Sequence, residues 1–375
     1  MIEGRVRNVS DGRLNLSHST SRRNMDESAM ATMKDVARAV GLSVTTVSRA
    51  LGNHGDVAEE TRERIREVAD RLDYHPNATA RSLQNSRANA IALVIPPLFH
   101  QAYDSFWLDF IGGMAGVCSH RGMDLVLSAI QSPGELDAGF QRLVRSGRID
   151  GVVICDVRRT DHRIGYLKKH GLPFVAFGRT IGQDGFPYID VDGAAGIVQA
   201  MEHLIILGHR RIGFMDVDPA FSFSHFRMAG YREALETAKL SYDPSLVCAG
   251  VGVGEAESAA SRLLGLPHRP TAIIAAADYL ALGVLKIARV RGLSVPEDLS
   301  VAVFDDNLAI QHAQPPITAI SQPNRRLGEE AASLLLDRVA NPESPLVQRI
   351  IVPTLVVRQS TGTPLLQGPK MAVAR

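Results

Sequence analysis

Across residues 91–339, short and almost unbroken apolar runs alternate with longer amphipathic stretches, and this texture restricts the fold more than any other property of the chain. The runs fall at 91–95, 125–130, 152–155, 174–177, 212–217, 272–277 and 301–304. Stretches of helical period fall among and after them, at 106–120, 193–207, 225–239, 279–291 and 326–339. A strand that is apolar on both faces has to be covered on both faces, so the pattern predicts parallel sheets lying between layers of helices. The strands exceed one sheet of ordinary size, and two doubly wound lobes are expected. With 45% hydrophobic residues in 375, the chain has the apolar surface that such cores require.

Residues 34–73 read differently. Val36, Ala37 and Val40 mark one short helix, Val47, Ala50 and Leu51 a second, and Ile65, Val68, Ala69 and Leu72 a third. Only residues 41–43 separate the first two; Ser43 suits the N-cap of the second helix, and Glu60 and Thr61 suit the first turn of the third. A helix, a glycine turn and a second helix make a helix-turn-helix, whose second helix enters a major groove. On that helix Val44, Thr45, Ser48 and Arg49 are expected to face outward. They supply methyl groups for thymine, a hydroxyl for phosphate or base, and a forked donor for guanine. A capped three-helix bundle with no DNA role has the same spacing, so spacing alone leaves both readings open.

Charge and cysteines narrow the class. Lys and Arg number 41 against 40 Asp and Glu, so any nucleic-acid site must be local. Cys118, Cys155 and Cys248 lie far apart with no CxxC pair, which argues against a disulfide framework or a cysteine zinc site; they are expected as small buried hydrophobes. No apolar run approaches the roughly 18 residues of a membrane span, and the N-terminus shows no secretory signal, so a cytoplasmic location is expected. Residues 1–29 are polar and are expected to be a disordered extension. Gly250, Gly252 and Gly254 give GxGxG, yet Glu255 stands where the last glycine of a dinucleotide fingerprint belongs. Walker, HExxH and GxSxG motifs are missing, which argues against a doubly wound enzyme. No catalytic residue, metal or cofactor is expected.

The residue string is more specific than its spacing. MKDVARAVGLSVTTVSRALGNHGDVAEETRERIREVADRLDYHPNATARSL resembles the DNA-binding headpiece of the lactose-repressor (LacI/GalR) family of bacterial transcription regulators. HLIILGHRRIGF at 203–214, RMAGYREAL at 227–235, VPEDLSVAVFDD at 295–306 and ITAISQPNRRLGEEA at 317–331 resemble further family phrases in the expected order. The resemblance covers about residues 32–361. It implies an all-α helix-turn-helix headpiece at 30–75, a hinge at 76–89, a two-lobed, periplasmic-binding-protein-like sensor of doubly wound parallel sheets at 90–358, and a tail at 359–375.

The resemblance also implies roles. Val44 and Thr45 would choose operator bases and Arg49 would bind guanine. Segment 76–84 looks like a hinge helix that folds in the minor groove, with Asn77, Ala80 and Leu83 at the DNA and Leu83 as a wedge between base steps. An effector would lie between the lobes, beyond the strand ends. There Phe106 and Trp107 would stack on a sugar ring, and Arg227 and Asp305 would grip hydroxyls. Gln322 and Asn324 would sit near the cleft mouth, and His225 stands where some sugar-binding relatives carry arginine. The chain departs from the family pattern with Ala277-Asp278 in place of Asn-Asp, Val303 in place of glycine, and Gly178 in place of a carboxylate. The basic cluster Arg158, Arg159, His162, Lys168 and Lys169 is expected to be a solvated helix face. The function implied is repression of sugar-utilisation genes by a homodimer on a palindromic operator, released by a small saccharide or sugar derivative, an α-glucoside being one candidate. A purine or a sugar phosphate acting as co-repressor is the alternative.

Overall fold

The computed structural model describes residues 31–52, 55–74, 87–95, 105–129 and 136–365. The extension 1–29, the hinge segment 76–84 with Asn77, Ala80 and Leu83, the loop 96–104 and the end of the tail, 366–375, lie outside the described residues. The chain divides into two compact units, Met1–Asn85 and Ser86–Arg375.

The first unit consists of α1 (Met33–Val40), α2 (Val44–Leu51) and α3 (Glu59–Arg71). Asp35 fastens the start of α1 by accepting from the Thr32 hydroxyl at 2.6 Å and its backbone N–H at 3.0 Å, and these bonds hold its carboxyl below the usual carboxylate range. Gly41 ends α1 at φ 69°, a left-handed conformation that glycine adopts without steric cost. Arg64 of α3 donates to the Val40 carbonyl at 2.7 Å, satisfying an acceptor that the helix end leaves free. Ser43 caps α2 as expected, accepting from Thr46 N–H at 3.0 Å. Val36, Val40, Val47, Ala50, Ile65 and Ala69 form the core beneath them.

The second unit begins with β1 (Ala90–Ile95), α4 (Ser105–His120), β2 (Asp124–Ala129), α5 (Leu136–Arg145), β3 (Gly151–Ile154), α6 (His162–His170), β4 (Phe174–Phe177) and β5 (Tyr188–Val191). It continues with α7 (Gly193–Ile206), β6 (Ile212–Asp216), α8 (Ser222–Thr237), β7 (Val247–Ala249), α9 (Val253–Leu264), β8 (Ala272–Ala275) and α10 (Asp278–Val290). It closes with β9 (Ser300–Phe304), α11 (Leu308–Gln311), β10 (Thr318–Ser321), α12 (Asn324–Ala340), β11 (Gln348–Ile351) and β12 (Thr354–Val356). Two six-stranded sheets result, ordered β11-β5-β4-β3-β1-β2 and β12-β10-β9-β8-β6-β7. Every strand pair is parallel except β10 with β12. Between the lobes the chain crosses after Val191, after Ser321 and after Ile351.

Each of the seven apolar runs carries a strand. The pattern missed β5, β7, β10, β11 and β12; of these, β7, β11 and β12 are short, partly exposed edge strands, and β11 and β12 open on polar residues. Helix α4 meets α12 so closely that a Cβ at Gly113 would overlap the Arg325 backbone, and one at Gly328 the Phe110 backbone. The three cysteines are buried and free.

The boundary expected at 358 is corrected. Ser360 is fully buried, accepts from Thr318 N–H at 2.8 Å and donates to the Val301 carbonyl at 2.5 Å. Gly362 N–H donates to Ser300 Oγ at 3.0 Å, so the second lobe runs on through Gly362 because its hydroxyl-bearing strands need these partners. Among the described residues no helix is long and apolar enough to cross a membrane, and no group of His, Cys, Asp or Glu is placed to hold a metal ion.

Candidate DNA-reading helix and ligand cleft

Helix α2 is pinned by its inner face, where Val47 and Ala50 are fully buried. That fixes the opposite face: Val44, Thr45 and Arg49 are exposed and Ser48 is half-buried. Arg49 Nη2 lies 2.8 Å from a carboxylate oxygen of Asp56, an acid that the sequence reading did not weigh. The outward set combines methyl groups, hydroxyls and one forked guanidinium, the chemistry that distinguishes base edges in a major groove.

In the second unit the carboxyl ends of both sheets open onto one cleft of about 200 Å³. Because each strand stops at its apolar run, the next residue is delivered to the cavity wall. Asp156 follows β3, Phe177 ends β4, Asp190 sits near the end of β5, and Asp218 follows β6. Asp278 and Tyr279 open α10, Phe304 ends β9, Asp305 follows it, and Gln322 follows β10. The N-cap and first two turns of α8 add Phe221, Phe223, Phe226 and Arg227.

Arg227 is the electrostatic centre. It is 8% exposed, donates from Nη1 to the Ala276 carbonyl at 2.5 Å, and lies over the Phe304 ring at 3.7 Å and the Phe223 ring at 4.8 Å. Its Nε is buried without a hydrogen-bond partner. Burial lowers the guanidinium's pKa, and the charges of Asp305, Asp216 and Asp190 oppose that effect. Burial in turn pushes Asp190 and Asp216 up to about 6, against the pull of Arg179 on the first and of the Ser224 hydroxyl on the second. Asp305 is also raised by burial, although Arg227 draws it down and Gln322 Nε2 donates to it. Its φ of 88° is left-handed for a residue with a side chain, the kind of strain that clusters at binding sites.

One rim of the cleft is tied shut. Ser222 N–H and Oγ both donate to the Val157 carbonyl at 2.9 Å, and Arg159 N–H donates to the Ala220 carbonyl at 3.2 Å. This joins the loop after β3 in the first lobe to the start of α8 in the second. A buried pair, Arg163 Nη2 to Asp161 at 2.6 Å, holds that loop from behind and also reaches the Cys155 carbonyl at 2.9 Å.

The structure brings together Phe106, Trp107, Arg227, Asp305 and Gln322 as cleft-lining residues. Phe106 is also packed against Trp107, Phe110 and Phe177, so it serves wall and core at once. His225 does not line the cleft. It is exposed on α8 with its ring edge-on to Phe226, because two residues before the inward Arg227 a helix has turned by about 200°. Asn324 does not line it either; it opens α12 half-buried, with Oδ1 buried and unpartnered. Gly178 lines it at φ 114°, and a Cβ there would press on Val157, which accounts for glycine at this position. The basic cluster is only half a helix face: His162, Lys168 and Lys169 lie exposed on α6, whereas Arg158 and Arg159 belong to the tied rim, with Arg158 over Phe221. Sequence reasoning missed Asp156, Asp190, Phe221, Phe223, Phe226 and Tyr279. The signal available was position: Asp156 and Asp190 stand at or just after a strand end, and the other four lie at the start of the helix that follows one.

A small helix-turn-helix unit and a two-lobed unit with a cleft at the strand ends define a DNA-binding regulator carrying a binding-protein-like domain. The description "Bacterial regulatory proteins, lacI family" matches residues 32–77, and "Periplasmic binding protein-like domain" matches residues 201–361. The HTH-type transcriptional regulator CelR of Thermobifida fusca is 32% identical over 342 residues, covering 90% of this chain and all of that protein. The HTH-type transcriptional repressor CytR of Escherichia coli K12 is 31% identical, covering 88% of this chain and 96% of its own. A solved CelR–cellobiose complex superposes with a TM-score of 0.69 at 31% identity, covering 88% of this chain and 99% of that one. The chain belongs to the lacI family of bacterial transcriptional regulators, and these relatives are regulators rather than enzymes.

Proposed function

We propose that the protein is a cytoplasmic homodimer that represses sugar-utilisation genes from a palindromic operator and is released when a small saccharide binds between its lobes. Val44, Thr45, Ser48 and Arg49 would read the major groove, and Asn77, Ala80 and Leu83 the minor groove. One α2 helix reads a single half-site, so two copies related by a two-fold axis suit a palindrome. The division of labour is a headpiece at 30–75, a hinge at 76–89 and a sensor from 90 through Gly362.

The observation that carries the effector reading is the cleft itself, with aromatic rings beside the Arg227 and Asp305 pair. Ring faces suit the C–H faces of a sugar, and carboxylates accept from its hydroxyls. The cellobiose bound by CelR supports a saccharide, an α- or β-glucoside included. The ligand acts by population shift: closing the lobes alters the pairing of the two hinge segments, and only differential affinity for the closed form moves the equilibrium. The test is binding of a labelled operator duplex with and without a saccharide panel. A saccharide that raises the melting temperature and weakens operator binding is expected. A saccharide that tightens operator binding would make the protein a co-repressor-dependent regulator instead. Asp305→Ala is expected to lose the saccharide response while still binding operator; loss of operator binding with the response intact would sink the assignment.

A further inference from the structure

The polar inventory of the cleft is lopsided. Its side-chain donors are largely engaged within the protein: Ser222 Oγ with the Val157 carbonyl, Tyr279 OH with the Gly250 carbonyl at 2.9 Å, and the Gln322 amide with Asp305. Arg227 is held by the Ala276 carbonyl and by two ring faces. Against this single guanidinium, five lining residues are carboxylates: Asp156, Asp190, Asp218, Asp278 and Asp305. Arg179 answers Asp190 at 3.4 Å, and the Asn307 amide answers Asp278 at 2.6 Å. Asp156 is different. Its carboxylate receives no hydrogen bond among the described residues; burial pushes it up to about 6, and the charges of Arg163, bound to Asp161 and to the Asp156 backbone carbonyl, and of Arg158, which lies over Phe221, draw it down only in part. The walls add to the imbalance, because the aromatic ring faces present negative charge to whatever they touch.

A ligand that fits this cleft has to donate rather than accept, and it gains by bringing positive charge. An incoming phosphate or carboxylate would meet these carboxylates, against which the described lining sets only the guanidinium of Arg227. We propose that the effector is a polyhydroxylated ring bearing a protonated amine, an amino sugar in the simplest case, with its ammonium set against Asp156 on the first lobe and its hydroxyls toward Arg227 and Asp305 on the second. This rests on the reading of the cleft as the effector site.

The test uses the full chain in calorimetric titrations with matched pairs: glucose and glucosamine, galactose and galactosamine, mannose and mannosamine. N-Acetylglucosamine and glucose 6-phosphate are included as forms that remove or reverse the charge. At neutral pH at least one amine is expected to bind tenfold or more tightly than its hydroxyl parent, with the acetylated and phosphorylated forms weaker than the parent. Asp156→Asn keeps the φ of 50° that asparagine tolerates and is expected to bring the amine down to its parent's affinity. If a hexose binds as tightly as its amine, or glucose 6-phosphate binds best, the cationic assignment is overturned while the saccharide reading stands. If no member of any pair binds, both fall. If Asp156→Asn keeps the full preference, the ammonium is not at Asp156.

Discussion

On α2 the groups suited to DNA stand in water, with the Arg49 side chain 54% exposed and Val44 40% exposed, whereas in the cleft Arg227 is 8% exposed and Asp190 7%. The contrast follows from the two ligands. DNA is large and brings its own counter-surface, so a small unit needs only a rigid helix with outward side chains, and eight buried residues hold that helix in place. A small molecule has to be surrounded, so the protein itself supplies the walls and bears the cost of burying the charges that line them. Exposed readers are replaceable without harm to the fold, and buried ones are not.

The comparison breaks most readily at Arg227. Replacing it with alanine leaves Asp190, Asp216 and Asp305 buried around a lost cation, and a destabilisation of about 3–5 kcal/mol is expected in urea denaturation of the second unit. A change below 1 kcal/mol would mean that the carboxylates are hydrated and the contrast in depth is superficial. Arg49→Ala is expected to weaken operator binding by about 1–3 kcal/mol with the melting temperature unmoved; a shifted melting temperature with unchanged DNA affinity would reverse the assignment. Ser43→Ala should destabilise the headpiece by about 1 kcal/mol, because Thr46 N–H loses its acceptor, as followed by circular dichroism of the headpiece transition. The smallest effect belongs to Asp56→Ala. Freeing Arg49 from an exposed ion pair is worth about 0–1 kcal/mol, so affinity for unrelated duplex should rise by a few-fold and fall more steeply with salt. Unchanged salt dependence would show that the pair does not compete with DNA.

The two regions were also unequally legible. The headpiece is built from contacts between neighbours in sequence, so the phase of Val47 and Ala50 was enough to place Val44, Thr45 and Arg49 outside. The lobes were legible as a class because seven strands are built on nearly unbroken apolar runs. The cleft was legible only in part, because its wall is assembled from strand ends far apart in the chain. Arg227 and Asp305 came from family resemblance, Asp156 and Phe221 came from neither source, and His225 was misjudged by the phase of α8. Nothing local in the sequence marks Asp156 as a cleft carboxylate that receives no hydrogen bond; that depends on Arg163 bonding Asp161 and the Asp156 backbone carbonyl instead.

The place of β11 and α12 has a consequence for biosynthesis. The first sheet takes its edge strand from residues 348–351, and its helix α4 seats Gly113 against backbone supplied by Arg325. A ribosome therefore releases nearly the whole chain before either lobe can close. The headpiece, whose described residues end at Tyr74, emerges long before. During every round of translation a unit able to fold by local contacts precedes two lobes that finish together, so truncated products lacking the last strands would display the DNA-reading helix without a finished sensor to govern it.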